Sequence, residues 1–280
     1  MSARPIFVIG RHRSGTTWLS NVIASHPAVY APQHPLHNGV HESAFFSRLV
    51  PYCNGGRTAA DLLAIKQLFE ASDYFLLTGL EQGPDIVANG YVQYFRLVME
   101  AAAARHAARY WLEKTPTHTL RAGFLAESYP DAILLAVIRN VTDVVASNVH
   151  GFGKPGSVWA WFRQAVVTAV YEKIIRRSNA LIIRYEDLRD GYDATIRSIA
   201  ARLGLDGEIP RNVFARNSSY DGESPRTRWW QGIAVQCGRL VVCLCPGALI
   251  EAAVRRWQAT SAVTLPPWFF LVRSADNPPG

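Results

Sequence analysis

A short apolar run, Pro5-Ile6-Phe7-Val8-Ile9-Gly10, leads straight into Arg11-His12-Arg13-Ser14-Gly15 and then into a segment with Trp18, Leu19, Val22 and Ile23 on one helical face. The first run is rich in β-branched and aromatic residues and closes on glycine, the pattern of a buried strand. The third segment reads as a helix from Thr16 to Ala24 that stops before Pro27. Strand, glycine loop and helix in this order open an α/β unit of the kind that holds phosphates.

Later segments continue the alternation. Tyr110-Trp111-Leu112, residues 132–138 and residues 180–183 read as strands, the second being the clearest. Thr142 is placed to cap a helix over 143–148, a long helix is expected over 157–177, and residues 193–203 read as a helix closed by Gly204. Continuous apolar strands separated by helices predict an α/β, P-loop-type three-layer sandwich. Its central sheet is mostly parallel, with helices on both faces. The chain is expected to form one domain over 1–280. Residues 5–203 are its recognisable nucleotide-binding core and 204–280 a less regular helical and loop part.

The 280 residues are enough for one substantial core, and 49% hydrophobic with 18% charged residues excludes disorder. A net charge of +7 favours anionic partners. The basic residues form no run of five or more, so nucleic acid is not an expected partner. Cys53, Cys237, Cys243 and Cys245 match no common zinc spacing and are too few for a disulfide scaffold. The apolar start is too short for a secretory signal, and no run reaches membrane-spanning length. A soluble, cytoplasmic protein is the default expectation.

Gly10 to Thr17 has the frame of a phosphate-binding loop: glycine, four residues, glycine, two more. Glycines let successive N–H groups converge on one anion, and the helix beginning at Thr16 adds its positive end. A nucleoside triphosphatase places lysine directly after the second glycine. Here that position is Thr16, and the positive charge comes from Arg13. A γ-phosphate has no obvious partner, which disfavours a magnesium-dependent kinase. A second anion site is suggested where the best strand ends: Arg139 follows Ile138, and Ser147 lies eight residues further on.

The run Arg13-Ser14-Gly15-Thr16-Thr17-Trp18-Leu19 resembles the 5′-phosphosulfate loop of sulfotransferases that use 3′-phosphoadenosine 5′-phosphosulfate (PAPS). Arg139 with Ser147 resembles the family's 3′-phosphate pair. The overall pattern is closer to the bacterial, carbohydrate and tyrosylprotein branches than to the cytosolic phenol and steroid branch. The resemblance implies that Arg13 neutralises charge at the phosphosulfate bridge and that Ser14, Gly15, Thr16 and Thr17 hold the 5′-phosphate. Trp18 is expected either near the adenine or in the core. Arg139 and Ser147 would select a 3′-phosphorylated donor, leaving 3′,5′-adenosine bisphosphate as product.

Sulfuryl transfer needs a base for the acceptor proton and positive charge beside the departing phosphate. His34, His37, His41 and Glu42 are the candidate bases. His41-Glu42-Ser43-Ala44-Phe45-Phe46 resembles a family segment in which a glutamate serves before paired aromatics, which favours Glu42 over His41. Pro32, Pro35 and Gly39 argue against a helix that would align the three histidines, so no metal is expected. The resemblance likewise implies none. Glu113-Lys114-Thr115-Pro116 resembles a cleft-lining segment, which makes Lys114 a candidate contact for the sulfonate or bridging oxygen. Glu113 and His118 are both placed to orient Lys114 or the acceptor. Thr115 is expected to cap a turn opened by Pro116.

Arg184-Tyr185-Glu186-Asp187-Leu188 is expected to anchor the fold. Tyr220, Arg226 and Arg228 are candidates for closing over the nucleotide. A small-molecule or carbohydrate acceptor is the expected partner. The rival readings are a P-loop kinase or nucleotide hydrolase with an unusual loop, and a nucleotide-binding interaction protein without turnover.

Overall fold

The computed structural model describes residues 2–151, 156–207, 209, 228–260 and 263–270. Its strands are β1 (Arg4–Gly10), β2 (Val29–Tyr30), β3 (Gln33–His34), β4 (Gly39–Val40), β5 (Tyr110–Lys114), β6 (Ile133–Ile138) and β7 (Leu181–Arg184). Five of them form one sheet in the order β2-β5-β1-β6-β7. Every pairing in it is parallel. β3 and β4 form a separate antiparallel hairpin.

Alternation along β1 explains the two helical layers. Ile6 and Val8 pack on one face with Leu19, Val22 and Ile23 of helix α1 (Thr16–Ala24) and with Ile196, Ile199 and Leu203. Phe7 and Ile9 pack on the other with Phe45, Phe46, Phe95, Val98 and Met99. Burying each such side chain stabilises the fold by roughly 1.5–3 kcal/mol. The expected three-layer α/β architecture is therefore present, and α1 has the expected bounds.

Register brings the functional ends together. Val8 lies beside Lys114, Gly10 beside Val137, and Ile138 beside Arg184. The carboxyl ends of β1, β5 and β6 thus open on the same edge, where parallel sheets gather ligands.

Two caps differ from expectation. The helix after β6 spans Val141–Gly151 and begins before Thr142. Its cap is Asn140, whose side-chain oxygen accepts from the Thr142 N–H at 2.9 Å, so an amide oxygen two residues earlier takes the capping role expected of Thr142. Thr115 does not cap the Pro116–Arg121 turn through its side chain. Its hydroxyl is engaged by Glu113 and by the Ala44 N–H instead. Ser157 caps the helix Val158–Arg177 by accepting from the Ala160 N–H at 3.2 Å. Gly204 ends the helix Tyr192–Leu203 in the left-handed conformation.

Among the described residues no single helix is long and apolar enough to cross a membrane. The helix Trp229–Leu244 and residues 247–258, bent by 104°, pass that test only as a pair, by length and composition.

Candidate active site

The loop after β1 is shaped by close approach. A side chain on Gly10 would meet the Val137 carbonyl oxygen at 2.7 Å and the Ser14 hydroxyl at 2.8 Å. Gly15 has φ 102°, and a Cβ there would lie 2.5 Å from the Tyr185 ring. Only glycine meets both conditions at that position. Tyr185 thereby fixes the end of the loop, which gives the Arg184–Leu188 segment its anchoring role. No side chain caps α1, and no acidic residue occupies its first turn. The first-turn N–H groups of such a helix lack intrahelical partners and attract anions.

The two loop arginines diverge. Arg11 donates to Gln164 Oε1 at 2.9 Å and lies over the Tyr171 ring at 5.1 Å, so it ties the loop to the helix Val158–Arg177. Arg13, Thr16 and Thr17 line a cavity of about 320 Å3 that Glu42 and Lys114 also line. These five residues, drawn from three separated segments, were all expected at the site.

Glu42 and Lys114 are held by two different devices. Lys114 ends β5, is 2% exposed, and donates from Nζ to Glu42 Oε1 at 3.0 Å. Glu113, the preceding residue, is fully buried. It accepts from the Ser43 hydroxyl at 2.7 Å and is 2.9 Å from His118 Nδ1. Ser43 follows Glu42, and Phe45 and Phe46 then enter the aromatic core with ring centroids 4.7 and 5.1 Å from Phe95. Glu113 and His118 therefore position the segment bearing Glu42 from behind, and the paired aromatics anchor its far end.

Burial alone would raise the Glu113 carboxyl. His118 beside it, with hydrogen bonds from His118, Thr115 and Ser43, brings it below the usual carboxylate range. A carboxyl lowered in the fold contributes stability that is complete above its unfolded value, about 4.3, and is lost as pH falls through the folded value. We expect urea-unfolding stability to decline below about pH 4 in the native protein. In Glu113→Gln that decline is shallower, and stability at neutral pH is already lower by about 3–5 kcal/mol. Parallel acid limbs in the two proteins would exclude this role.

Arg139 stands behind the loop. Its guanidinium lies 4.4 Å from the Tyr185 ring centroid, its Nη1 donates to the Arg13 carbonyl at 3.4 Å, and its Nε is 3.8 Å from Asp143. Ser147 is buried in the helix Val141–Gly151. The next residue, Asn148, donates to the His12 carbonyl at 3.1 Å. Neither Arg139 nor Ser147 lines the 320 Å3 cavity, although Arg139 touches the loop that does. Ser14 is buried within the loop, 1% exposed. Trp18 is half-buried, packing edge-on to Tyr185 at 5.6 Å and stacking with Tyr192 at 6.0 Å. Arg228 is exposed at the start of the helix Trp229–Leu244 and does not line the cavity. Tyr220 and Arg226 lie outside the described residues.

Several cavity residues had no assigned role in the sequence. His12 lines it between the two loop arginines, and removal from water holds its imidazole at about 4, opposed by Glu42 and reinforced by Arg11, Lys114 and Arg13. Trp268 reaches the same cavity from near the C-terminus. His41, the alternative base, is pushed down to about 2 by burial, then by His37, Lys114 and His34. So weak a base is poorly matched to accept a proton near neutrality.

The Sulfotransferase family model matches residues 5–208. The sulfotransferase domain of the Synechococcus PCC 7002 olefin synthase superposes with a TM-score of 0.50 at 17% identity, covering 93% of this chain and 96% of that one. The sulfotransferase domain from the curacin biosynthetic pathway gives 0.47 at 16% identity, with coverage of 98% and 97%. Sulfotransferase STF1 from Mycobacterium tuberculosis H37Rv gives 0.44 at 15%, with coverage of 93% and 77%. No curated protein sequence matches the chain. The first of these likenesses supports the fold, and the match over 5–208, which contains the glycine loop, Glu42, Lys114 and Arg139, carries the assignment: the chain belongs to the sulfotransferase family.

Proposed function

We propose that the protein transfers a sulfuryl group from PAPS to a hydroxyl or amine of a small-molecule or carbohydrate acceptor. The observation that supports this most is the meeting of Arg13, Thr16 and Thr17 with Glu42 and Lys114 across one cavity. The loop and first turn of α1 hold the 5′-phosphate, and Arg13 neutralises its bridge. Arg139, just past the end of β6, and Ser147, in the helix that follows, take the 3′-phosphate.

The acceptor oxygen attacks sulfur in line with the bridging oxygen, and Glu42 accepts the acceptor proton. The new bond forms to sulfur as the sulfur–bridge bond breaks. The departing electron pair stays on the 5′-phosphate of 3′,5′-adenosine bisphosphate. Before the donor binds, Lys114 is paired with Glu42. Turning Lys114 toward the sulfonate or bridge places its charge on the leaving group and frees the carboxylate for the proton.

Calorimetry tests the donor. The bisphosphate should bind at least about tenfold tighter than 5′-AMP, since a charge-assisted hydrogen bond contributes about 1.5–3 kcal/mol. Arg139→Ala should erase most of that preference. Equal affinity of the intact protein for the two nucleotides would sink the assignment.

A further inference from the structure

His37, His41 and Asp73 come together beside the cavity, which both histidines line, although no helix joins them. The β3–β4 hairpin brings the histidines together: the turn Pro35–His37 and the left-handed residues Asn38 and Gly39 reverse the chain. The His41 N–H donates to the Pro32 carbonyl at 2.9 Å. Asn21 of α1 grips the hairpin from below, donating to the Asn38 carbonyl and accepting from the Val40 N–H, both at 2.8 Å. The rings of His37 and His41 are stacked, centroids 3.5 Å apart. Asp73, fully buried in the first turn of the short helix Asp73–Leu76, brings Oδ2 to 3.3 Å from His37 Nε2.

One ligand atom from each of the three residues lies within 4.8 Å of the others. For a tetrahedral ion with bonds of about 2.0–2.1 Å, ligand atoms sit about 3.3 Å apart. The His37–Asp73 separation already has that value, and the ligand set closes when the His41 ring turns out of its stack on His37, so that the in-plane lone pairs of both rings face one ion. Two imidazoles and one carboxylate are a donor set suited to zinc, and three protein ligands leave a fourth position open. His37 and His41 line the cavity, so that position has an entry path from it. Lys114 is the nearby cation that would oppose an ion, and Glu42 neutralises it at 3.0 Å.

We propose that His37, His41 and Asp73 form a site for a divalent transition metal, zinc by its ligand chemistry. The ion clamps the hairpin to the helix Asp73–Leu76. Because Glu42 directly follows His41, the clamp fixes the backbone that presents the carboxylate.

The test is a titration of chelator-treated full-length protein with Co2+, followed by its visible absorption, and then displacement by Zn2+ in a calorimeter. One equivalent should bind and give the intense bands of a tetrahedral centre. His37→Ala and Asp73→Asn should each weaken binding by at least about tenfold, the loss that even an outer-sphere partner typically causes. His34→Asn, just outside the trio and still able to cap the Pro35–His37 turn, should leave binding unchanged. Retained affinity for 3′,5′-adenosine bisphosphate would show that a variant is folded. The metal readout needs no donor or turnover, so its failure is distinct from failure of the sulfuryl-transfer reading. No saturable binding by the native protein, or affinity indifferent to both ligand substitutions, would overturn the site.

Discussion

Glu42→Gln should lower kcat by about 10²–10⁴-fold, the usual range for loss of a positioned general base. The amide keeps the volume of the carboxyl and can still accept a hydrogen bond from Lys114, so the cavity retains its shape. Glu42 belongs to neither the glycine loop nor the Arg139 end of β6, and affinity for 3′,5′-adenosine bisphosphate should therefore be unchanged. Turnover is read with labelled donor against a panel of sugars, glycolipids, tyrosine peptides and small natural products. Loss of kcat with unaltered nucleotide binding is the signature of an interaction made only as the acceptor loses its proton. Turnover at the native rate by the Glu42→Gln protein would remove Glu42 from the mechanism. His41 would be a poor replacement, because burial, and then His37, Lys114 and His34, hold it at about 2.

The sequence exposed those parts of the site whose chemistry is local. The spacing of Gly10 and Gly15 is a backbone requirement, and the structure supplies its causes in the Val137 carbonyl and the Tyr185 ring. Strand alternation likewise reports burial directly, which is why β1, α1 and β6 lie close to where their patterns put them. The helices Ala59–Glu70 and Ile86–Arg105 are not anticipated by the sequence reading. The Gly90 break gives part of the reason, since φ 70° and ψ 163° interrupt the helical period near the start of the second helix.

Long-range pairing was less legible. Glu113 and His118 have the same residue types whether they face substrate or core. Only the three-dimensional contacts among Glu113, His118 and Ser43 turn them inward. The histidines of the hairpin show a related failure of inference. The prolines that exclude a helix do not keep His37 and His41 apart, because the hairpin turn brings them into ring contact. Asp73, which completes that cluster, is far away in sequence and carries no local signal.

Lys114→Met should cost about 10²–10³-fold in kcat, comparable to removing one preorganised donor from a site of developing negative charge. Methionine preserves most of the buried length of the side chain and removes only the ammonium. The partner left behind, Glu42, is 22% exposed at its side chain, so water reaches the unpaired carboxylate and the fold should survive. Because Lys114 and Glu42 contact one another and serve the same transfer, their effects are not independent. The Glu42→Gln, Lys114→Met double variant should fall less than the product of the two single losses. Single-turnover measurement with prebound donor separates this from weakened binding: the transfer step itself must slow. If Lys114→Met transferred at the native rate, the ion pair would be a structural feature of the cavity wall. The charge on the leaving phosphate would then fall to Arg13 and the α1 amides alone.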